Sequence, residues 1–202
     1  MTRLEILVEE PSMEAALREI MPKILRMRAH WKPINMGSKG KLLKALPARL
    51  RAYRKRIDND EDLKIIVLVD RDSDNCEQLK QRLETIAREA GLTTKTAVNG
   101  QGNFHVVTRI AIEELEAWFM GDEDALKGAF TSLRGINFPK SFSNPDNGGT
   151  WERLHRFLKS HGIYRKTYPK IEAARKISKY MDLNRNLSRS FQNFLQGVEA
   201  CL

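Results

Sequence analysis

The chain has 202 residues, 41% of them hydrophobic, and a formal net charge of +9, because 35 lysines and arginines outnumber 26 aspartates and glutamates. This length fits one domain with at most a small appendage, and the hydrophobic content excludes wholesale disorder. The sequence has no apolar run of the roughly 18 residues that a membrane span needs and no CxxC pair. Glu5, Glu9 and Glu10 interrupt its first apolar stretch, so we expect no signal peptide. We therefore expect a cytoplasmic protein that avoids membranes and lacks a structural zinc site or a disulfide framework.

The first half of the chain alternates apolar runs with helical patterns. Four β-rich runs predict strands, the second of them weakly, at residues 4–8, 31–36, 65–69 and 104–112. Apolar residues at helical spacing predict helices between the strands, over residues 13–24, 42–57 and 76–90. Pro22 and Pro47 are expected to kink or end the first two helices, and Gly91 is expected to close the third. This alternation predicts an α/β fold in which helices flank a mostly parallel sheet.

The second half of the chain has a different pattern. Beyond residue 120 it becomes helical and irregular, and turn-forming residues predict a loop over residues 141–150. We therefore predict an α/β domain over residues 1–125 and a helical annex over residues 126–202, packed on the same domain.

Acidic side chains follow two of the predicted strands. Glu9 comes directly after the first strand, Asp70 ends the third, and Asp72 follows it. Ligands of open α/β sheets bind beyond the carboxyl ends of the strands, so these side chains converge if the two strands are neighbours. Converging carboxylates repel one another unless a cation joins them, and oxygen ligands favour Mg²⁺, Mn²⁺ or Ca²⁺. The sequence therefore predicts a metal site at this edge.

Three further acidic residues have competing interpretations. Asp74 is either an additional ligand or the N-cap of the third helix, with Glu77 completing a capping box. Glu10 is expected to be solvated or to lie near the positive end of the first helix. Glu116 lies in the apolar stretch LEAWF, where an isolated buried carboxylate is costly, so it should face the metal or pair with a base.

Positive charge is concentrated in two segments, residues 39–56 and residues 153–189, and Glu172 and Asp182 are the only acids of the second. Residues 39–56 carry eight lysines and arginines and no acid. Such a segment is either a solvated helix face or a surface for phosphates. For the second case, the candidate residues for nucleic-acid binding are Lys41, Lys44, Arg51, Arg54 and Arg56.

The stretches LVEEPSMEAAL and IIVLVDRDSD resemble the TOPRIM domain, a Mg²⁺-binding module of topoisomerases, primases and OLD-family nucleases. The stretches EAWFMGD, YRKTYPKIEAARKI and SRSFQNF extend the resemblance to a family of small standalone TOPRIM-like proteins. The resemblance implies a TOPRIM-like fold, with Glu9 as general acid or base and Asp70 and Asp72 as Mg²⁺ ligands. It also favours Lys170 as a catalytic residue, and it implies an ATPase partner in defence against foreign DNA, including phage DNA.

The function that fits best is Mg²⁺- or Mn²⁺-dependent cleavage of a nucleic-acid backbone, by a subunit of a larger assembly. In this interpretation Asp74 and Glu116 are the carboxylates available to a second metal ion. The sequence contains no Walker A motif, so we expect any ATP hydrolysis to come from a partner. One alternative is a non-catalytic metal- and nucleic-acid-binding module of a defence or repair complex. Another is receiver- or phosphatase-like phosphoryl chemistry on a small molecule.

Overall fold

The computed structural model describes residues 1–98, 102–148 and 150–202. Its centre is a four-stranded sheet in the order β2-β1-β3-β4, in which all neighbouring strands are parallel. The strands are β1 (Arg3–Val8), β2 (His30–Asn35), β3 (Leu63–Asp70) and β4 (Val106–Ala111). The TOPRIM-like α/β fold and all four predicted strands are confirmed. Because β1 and β3 are neighbours, the condition for the predicted convergence of Glu9 and Asp70 is met.

Three long helices alternate with the strands, and shorter helices follow. They are α1 (Pro11–Leu25), α2 (Lys39–Asp58), α3 (Cys76–Glu89), α4 (Glu116–Met120), α5 (Glu123–Ala129), α6 (Trp151–Ser160), α7 (Lys170–Ser178) and α8 (Arg189–Glu199). Two short 3₁₀ turns lie at Thr131–Leu133 and Lys140–Ser143. Within the described ranges, no helix combines the length and the apolar composition that crossing a membrane requires.

Neither internal proline ends its helix. α1 continues past Pro22 to Leu25 and stops where Arg26 adopts a left-handed conformation, its backbone N–H donating to the Pro22 carbonyl. α2 runs through Pro47 for its full length. A proline removes one backbone donor, and the remaining bonds and the buried apolar face of each helix outweigh that loss. Gly91 follows the end of α3 with φ +75°, as the sequence predicted.

Alternating side chains of the strands enter two separate apolar cores. On β1, Leu4, Ile6 and Val8 face the core that contains α1, whereas Leu7 faces the core under α2 and α3. The same alternation on β3 sends Ile66 to the first core and its neighbours to the second. The sheet is therefore covered on both faces, which explains why its strands are apolar throughout.

The C-terminal helices pack on the face of the sheet that carries α1. α7 lies against α1 and α8 against β4. Lys23 of α1 donates to the carbonyls of Ser178, Lys179 and Met181 at 2.8–3.0 Å, which satisfies the free end of α7. A single core joins residues from both sides of position 125, which falls inside α5, so the division at that position stays a prediction.

Candidate metal centre

The carboxyl ends of the four parallel strands lie at one edge of the sheet, and each is followed by charged residues. Glu9 follows β1, and Lys39 follows β2 as the first residue of α2. Asp70 ends β3, and Glu113 follows β4 two residues after Ala111. Ligands of open α/β sheets bind at this edge.

Glu9 and Asp70 form a buried acidic pair. Their exposed fractions are only 3% and 8%, and the Glu9 carboxylate accepts a hydrogen bond from the backbone N–H of Asp70. Burial raises the pKa of Glu9 to about 7, although that hydrogen bond opposes the change. Burial, followed by the charges of Glu9 and Glu116, raises the pKa of Asp70 well above its ordinary range. Two carboxylates in this environment favour a cation between them.

One oxygen of Asp70 has no partner. Oδ1 is buried and accepts no hydrogen bond from any residue that the structure describes. A buried acceptor without a partner costs free energy, and in folded proteins such an atom usually has a functional explanation. A hard divalent cation would satisfy this oxygen, and the carboxylates of Asp70 and Glu9 are donors of the kind that Mg²⁺ and Mn²⁺ prefer. These residues therefore fit the ion that the resemblance implies.

The remaining two aspartates are bound to a lysine. The Lys39 ammonium group lies 2.6 Å from Asp72 Oδ2 and 3.0 Å from Asp74 Oδ2. The prediction that Asp74 caps α3 is wrong, because Asn75 is the N-cap and accepts from the Gln78 backbone N–H at 3.0 Å. The Asp74 carboxylate binds the Lys39 ammonium group instead of the start of α3, and the neighbouring Asn75 is an equally good capping residue.

Backbone contacts hold the turn that carries Asp72. Asp72 adopts a left-handed φ of +50°, and its N–H donates to the carbonyl of Glu113, which is itself at φ +62°. The Arg71 side chain pairs with the Glu113 carboxylate, and its backbone N–H donates to Ala111. Left-handed residues other than glycine are uncommon and concentrate at functional sites. The turns after β3 and β4 are thus fixed to each other.

Glu116 and Lys170 reach the same region from α4 and α7. Glu116 is 2% exposed, and burial raises its pKa to about 7 although the charge of Lys170 lowers it. Burial opposes the charged form of Lys170, yet nearby carboxylates, Glu116 first, raise its pKa. The Lys170 ammonium also lies 5.7 Å from the centre of the Trp151 ring. That Glu116 faces a metal or pairs with a base stays a prediction, and the nearby charge of Lys170 supports it.

No three Asp, Glu, His or Cys side chains are grouped so that they could hold a metal ion in residues 1–98, 102–148 and 150–202. Part of the reason is that Asp72 and Asp74 are directed to Lys39. The full ligand set of Glu9, Asp70, Asp72, Asp74 and Glu116 therefore stays a prediction.

Two charged residues of this edge were not predicted as site residues. Lys39 lies among the acidic side chains, and Glu114 accepts a hydrogen bond from the Trp151 backbone N–H at 2.7 Å. Burial raises the pKa of Glu114. Glu114 lies three residues after β4 and could have been found from its place at a strand end, as Glu9 was, whereas the pairing of Lys39 with Asp72 and Asp74 depends on the tertiary fold.

The five predicted nucleic-acid-binding residues of α2 divide into two groups. Lys41, Lys44 and Arg51 are exposed, lie on one face of the helix and form no salt bridge within the described part of the chain. Arg54 pairs with Asp58, and Arg56 donates to both Glu5 and Glu61. The first group is available to phosphates, whereas the second is engaged within the fold.

The stretch SRSFQNF has a structural role. Asp146 accepts hydrogen bonds from the hydroxyl groups of Ser188 and Ser190 at 2.8 and 3.0 Å. Ser190 also accepts from the Trp118 indole N–H at 3.0 Å. These bonds attach the start of α8 to the loop that precedes α6 and Trp151. Trp118 and Phe119 are fully buried.

Comparisons with known proteins agree with this architecture. The family model described as "Domain of unknown function (DUF4276)" matches residues 8–199. The solved C-terminal region of the Burkholderia pseudomallei OLD protein has a similar fold, with a TM-score of 0.52, 13% sequence identity and coverage of 100% of each chain. At this identity the likeness shows the fold alone. No curated protein matches the sequence.

Proposed function

The chain belongs to the DUF4276 family, whose function is unknown, and we propose that it is a Mg²⁺- or Mn²⁺-dependent phosphodiesterase subunit that cleaves nucleic acid. The observation that supports this most strongly is the buried pair of Glu9 and Asp70, with Asp70 Oδ1 left without a partner. The pair lies at the carboxyl ends of adjacent parallel strands, at the positions where the TOPRIM resemblance expects its acid/base and metal ligands.

Each residue of the edge has a defined part in this proposal. Asp70 and Asp72 would hold the ion, which when bound supplies positive charge for the phosphoryl oxygens and lowers the pKa of water. Glu9 accepts or donates a proton, and a pKa of about 7 suits that work at neutral pH. Lys170 contributes a positive charge beside Glu116 that can stabilise charge on a phosphate.

The substrate and partner follow from the surface of the chain and from the resemblance. Lys41, Lys44 and Arg51 give α2 an exposed basic face on the helix that begins with Lys39 at the acidic edge. Such a face can bind the phosphates of a nucleic acid by releasing their counterions. The TOPRIM resemblance adds an ATPase partner and a role in defence against foreign DNA, in the cytoplasm.

A second candidate is a non-catalytic module that binds nucleic acid and a partner. The observation that favours it is the pairing of Lys39 with both Asp72 and Asp74, since one ammonium group already occupies an oxygen of each of these two predicted metal ligands. In this case metal binding would be weak and cleavage absent.

The metal centre can be tested by thermal melting and by calorimetric titration with Mn²⁺. An ion that binds only the folded state stabilises it by about 2.7 kcal/mol at a hundred times its Kd. We expect Mn²⁺ to raise the melting temperature of the wild type and not that of Asp70→Asn. Asp60→Asn is the matched control, because Asp60 is exposed and asparagine tolerates its left-handed backbone. An equal rise in all three proteins would remove Asp70 from the site.

A further inference from the structure

Lys39 places a fixed positive charge inside the acidic edge. Its ammonium group lies 2.6 Å from Asp72 Oδ2, 3.0 Å from Asp74 Oδ2 and 3.1 Å from the backbone oxygen of Arg71. An ammonium group has three donors, so these three acceptors satisfy it completely. The lysine side chain is only 16% exposed, whereas the two aspartates are about half exposed.

The position of Lys39 is set by the fold. It is the first residue of α2, directly after Ser38, whose side chain caps the helix by accepting from the Lys41 backbone N–H. The helix start therefore anchors the backbone of Lys39, and the turn after β3 anchors its acceptors through the bonds of Asp72 and Arg71 to the turn after β4. Lys39 is thus part of the edge, in contrast to the exposed lysines further along the helix.

The lysine divides the edge into two halves with different charge. On one side, Asp72 and Asp74 each have one oxygen bound to the ammonium group. On the other side, Glu9 and Asp70 form no salt bridge within the part of the chain that the structure describes, and Asp70 Oδ1 lacks any partner. A divalent ion is attracted to the second half, while the ammonium group repels any ion that approaches Asp72 and Asp74 together.

We propose that Lys39 acts as a permanent second cation, so that this edge binds one divalent ion, held by Asp70 and by Asp72 Oδ1 with Glu9 beside it to transfer a proton, and excludes another ion from between Asp72 and Asp74. The inference rests on the metal centre proposed above. Lys39 is a positioning residue in this account, because it determines where an ion is held and how many ions are held. Asp72 Oδ1 remains available to the single ion, since the contact with Lys39 uses Oδ2.

The test is the number of Mn²⁺ ions bound, measured by isothermal titration calorimetry and by the electron paramagnetic resonance signal of free Mn²⁺. We compare the wild type with Lys39→Met, which keeps the length of the side chain and removes its charge, and with Lys39→Arg, which keeps the charge. Lys41→Met, two residues along α2 and exposed, is the control for loss of a lysine. Circular dichroism of each variant checks that it is folded.

We expect one ion in the wild type, Lys39→Arg and Lys41→Met, and two ions in Lys39→Met. Adding Asp74→Asn to Lys39→Met should weaken the second site at least 10-fold, which places that site at the turn after β3. Two ions in the wild type, or one in Lys39→Met, would overturn the role of Lys39 while the metal centre stands. No binding in the wild type with binding in Lys39→Met would support competition by Lys39 and refute the native metal centre. No binding in any variant would refute both.

Discussion

Two buried glutamates on the same stretch of chain differ in how their charge is compensated. Glu5, in the middle of β1, is 5% exposed and accepts hydrogen bonds from the Tyr53 hydroxyl at 2.5 Å and from Arg56 at 2.9 Å. Glu9, just beyond the end of β1, is 3% exposed and accepts its hydrogen bond from a backbone N–H, that of Asp70. Within the described ranges, no cationic side chain forms a salt bridge with Glu9.

The comparison separates a structural carboxylate from a candidate functional one. A buried charge that has a cation and a hydroxyl group as partners is stable within the protein alone. A buried carboxylate without a cation is held at a cost, and such groups concentrate at functional sites. Glu5 therefore supports the packing of α2 on the sheet, whereas Glu9 marks the place where an additional positive charge would be favourable.

The largest expected difference between the two glutamates is in cleavage. Glu9→Gln should lower the rate of metal-dependent cleavage by about 10²- to 10⁴-fold, because an amide cannot transfer the proton. Glu5→Gln should leave the rate per folded molecule within about threefold, since Glu5 lies away from the carboxyl edge. The assay uses plasmid and oligonucleotide substrates with Mg²⁺ or Mn²⁺, with and without the product of a neighbouring ATPase gene.

The same assay decides between the two candidate functions. Full activity of Glu9→Gln would remove Glu9 from the mechanism. If Mn²⁺ binding is confirmed and no cleavage occurs under any of these conditions, the chain is the non-catalytic module.

The second largest difference is in the pH dependence of stability. The pKa of Glu9 in the folded protein, about 7, lies above its ordinary value of 4.5. The protonated Glu9 side chain therefore stabilises the folded protein fully below about pH 4.5, and this stabilisation is lost as the pH rises through about 7. The loss lowers the free energy of unfolding by up to about 3 kcal/mol. In EDTA, the free energy of unfolding of the wild type should fall across this range.

Glu9→Gln sharpens this test because its amide stays neutral. Its stability should fall less than that of the wild type between about pH 5 and pH 8, and at the upper end it should be the more stable protein. Glu77→Gln, at an exposed position, should follow the wild type. Denaturation by urea at several pH values measures the difference, and parallel curves for Glu9→Gln and the wild type would contradict the assignment.

The third difference concerns the partner of Glu5. Arg56→Met removes the nearest cation of a buried carboxylate and leaves the Tyr53 hydroxyl and the more distant Arg3, at 3.7 Å, as its partners. It should destabilise the protein by about 2 kcal/mol, since the lost arginine is itself partly exposed. The double variant Glu5→Gln with Arg56→Met should recover part of that loss, because it removes the buried charge that has lost its nearest cation. Lys55→Met, exposed on the same helix, is the control. Equal stabilities of all these variants would show that the ion pair contributes nothing.

The strands and the adjacency of Glu9 and Asp70 could be predicted because they depend on local patterns. Apolar runs identify buried parallel strands, and the ends of parallel strands share an edge, so the two carboxylates follow from strand order alone. Strand patterns could not identify the partner of Asp74, because Lys39 is 35 residues away in the sequence. Asp74 binds this lysine instead of capping the nearby helix, and that choice depends on the tertiary fold.

The basic segment shows the same limit. Composition alone groups Arg54 and Arg56 with Lys41 and Lys44, because all four are cations on one helix. Their difference arises from the sheet: Arg56 meets Glu5 of β1, a contact between residues 51 positions apart. Helical spacing does predict that Lys41, Lys44 and Arg51 share a face, but it does not show which cations are already paired.

The smallest expected effect extends the comparison from carboxylates to cations. Replacing Lys41, Lys44 and Arg51 together by glutamine should flatten the dependence of log affinity on log salt for oligonucleotide binding by about 2 to 3 units, since each phosphate contact contributes about 0.7 to 0.9. Arg54→Gln should change the slope little, because Arg54 is already paired with Asp58. Fluorescence anisotropy at a series of salt concentrations measures both slopes. A triple variant with the slope of the wild type would show that the basic face of α2 does not contact the phosphates. If Arg54→Gln alone flattened the slope as much as the triple variant does, pairing within the fold would not decide which cations bind nucleic acid.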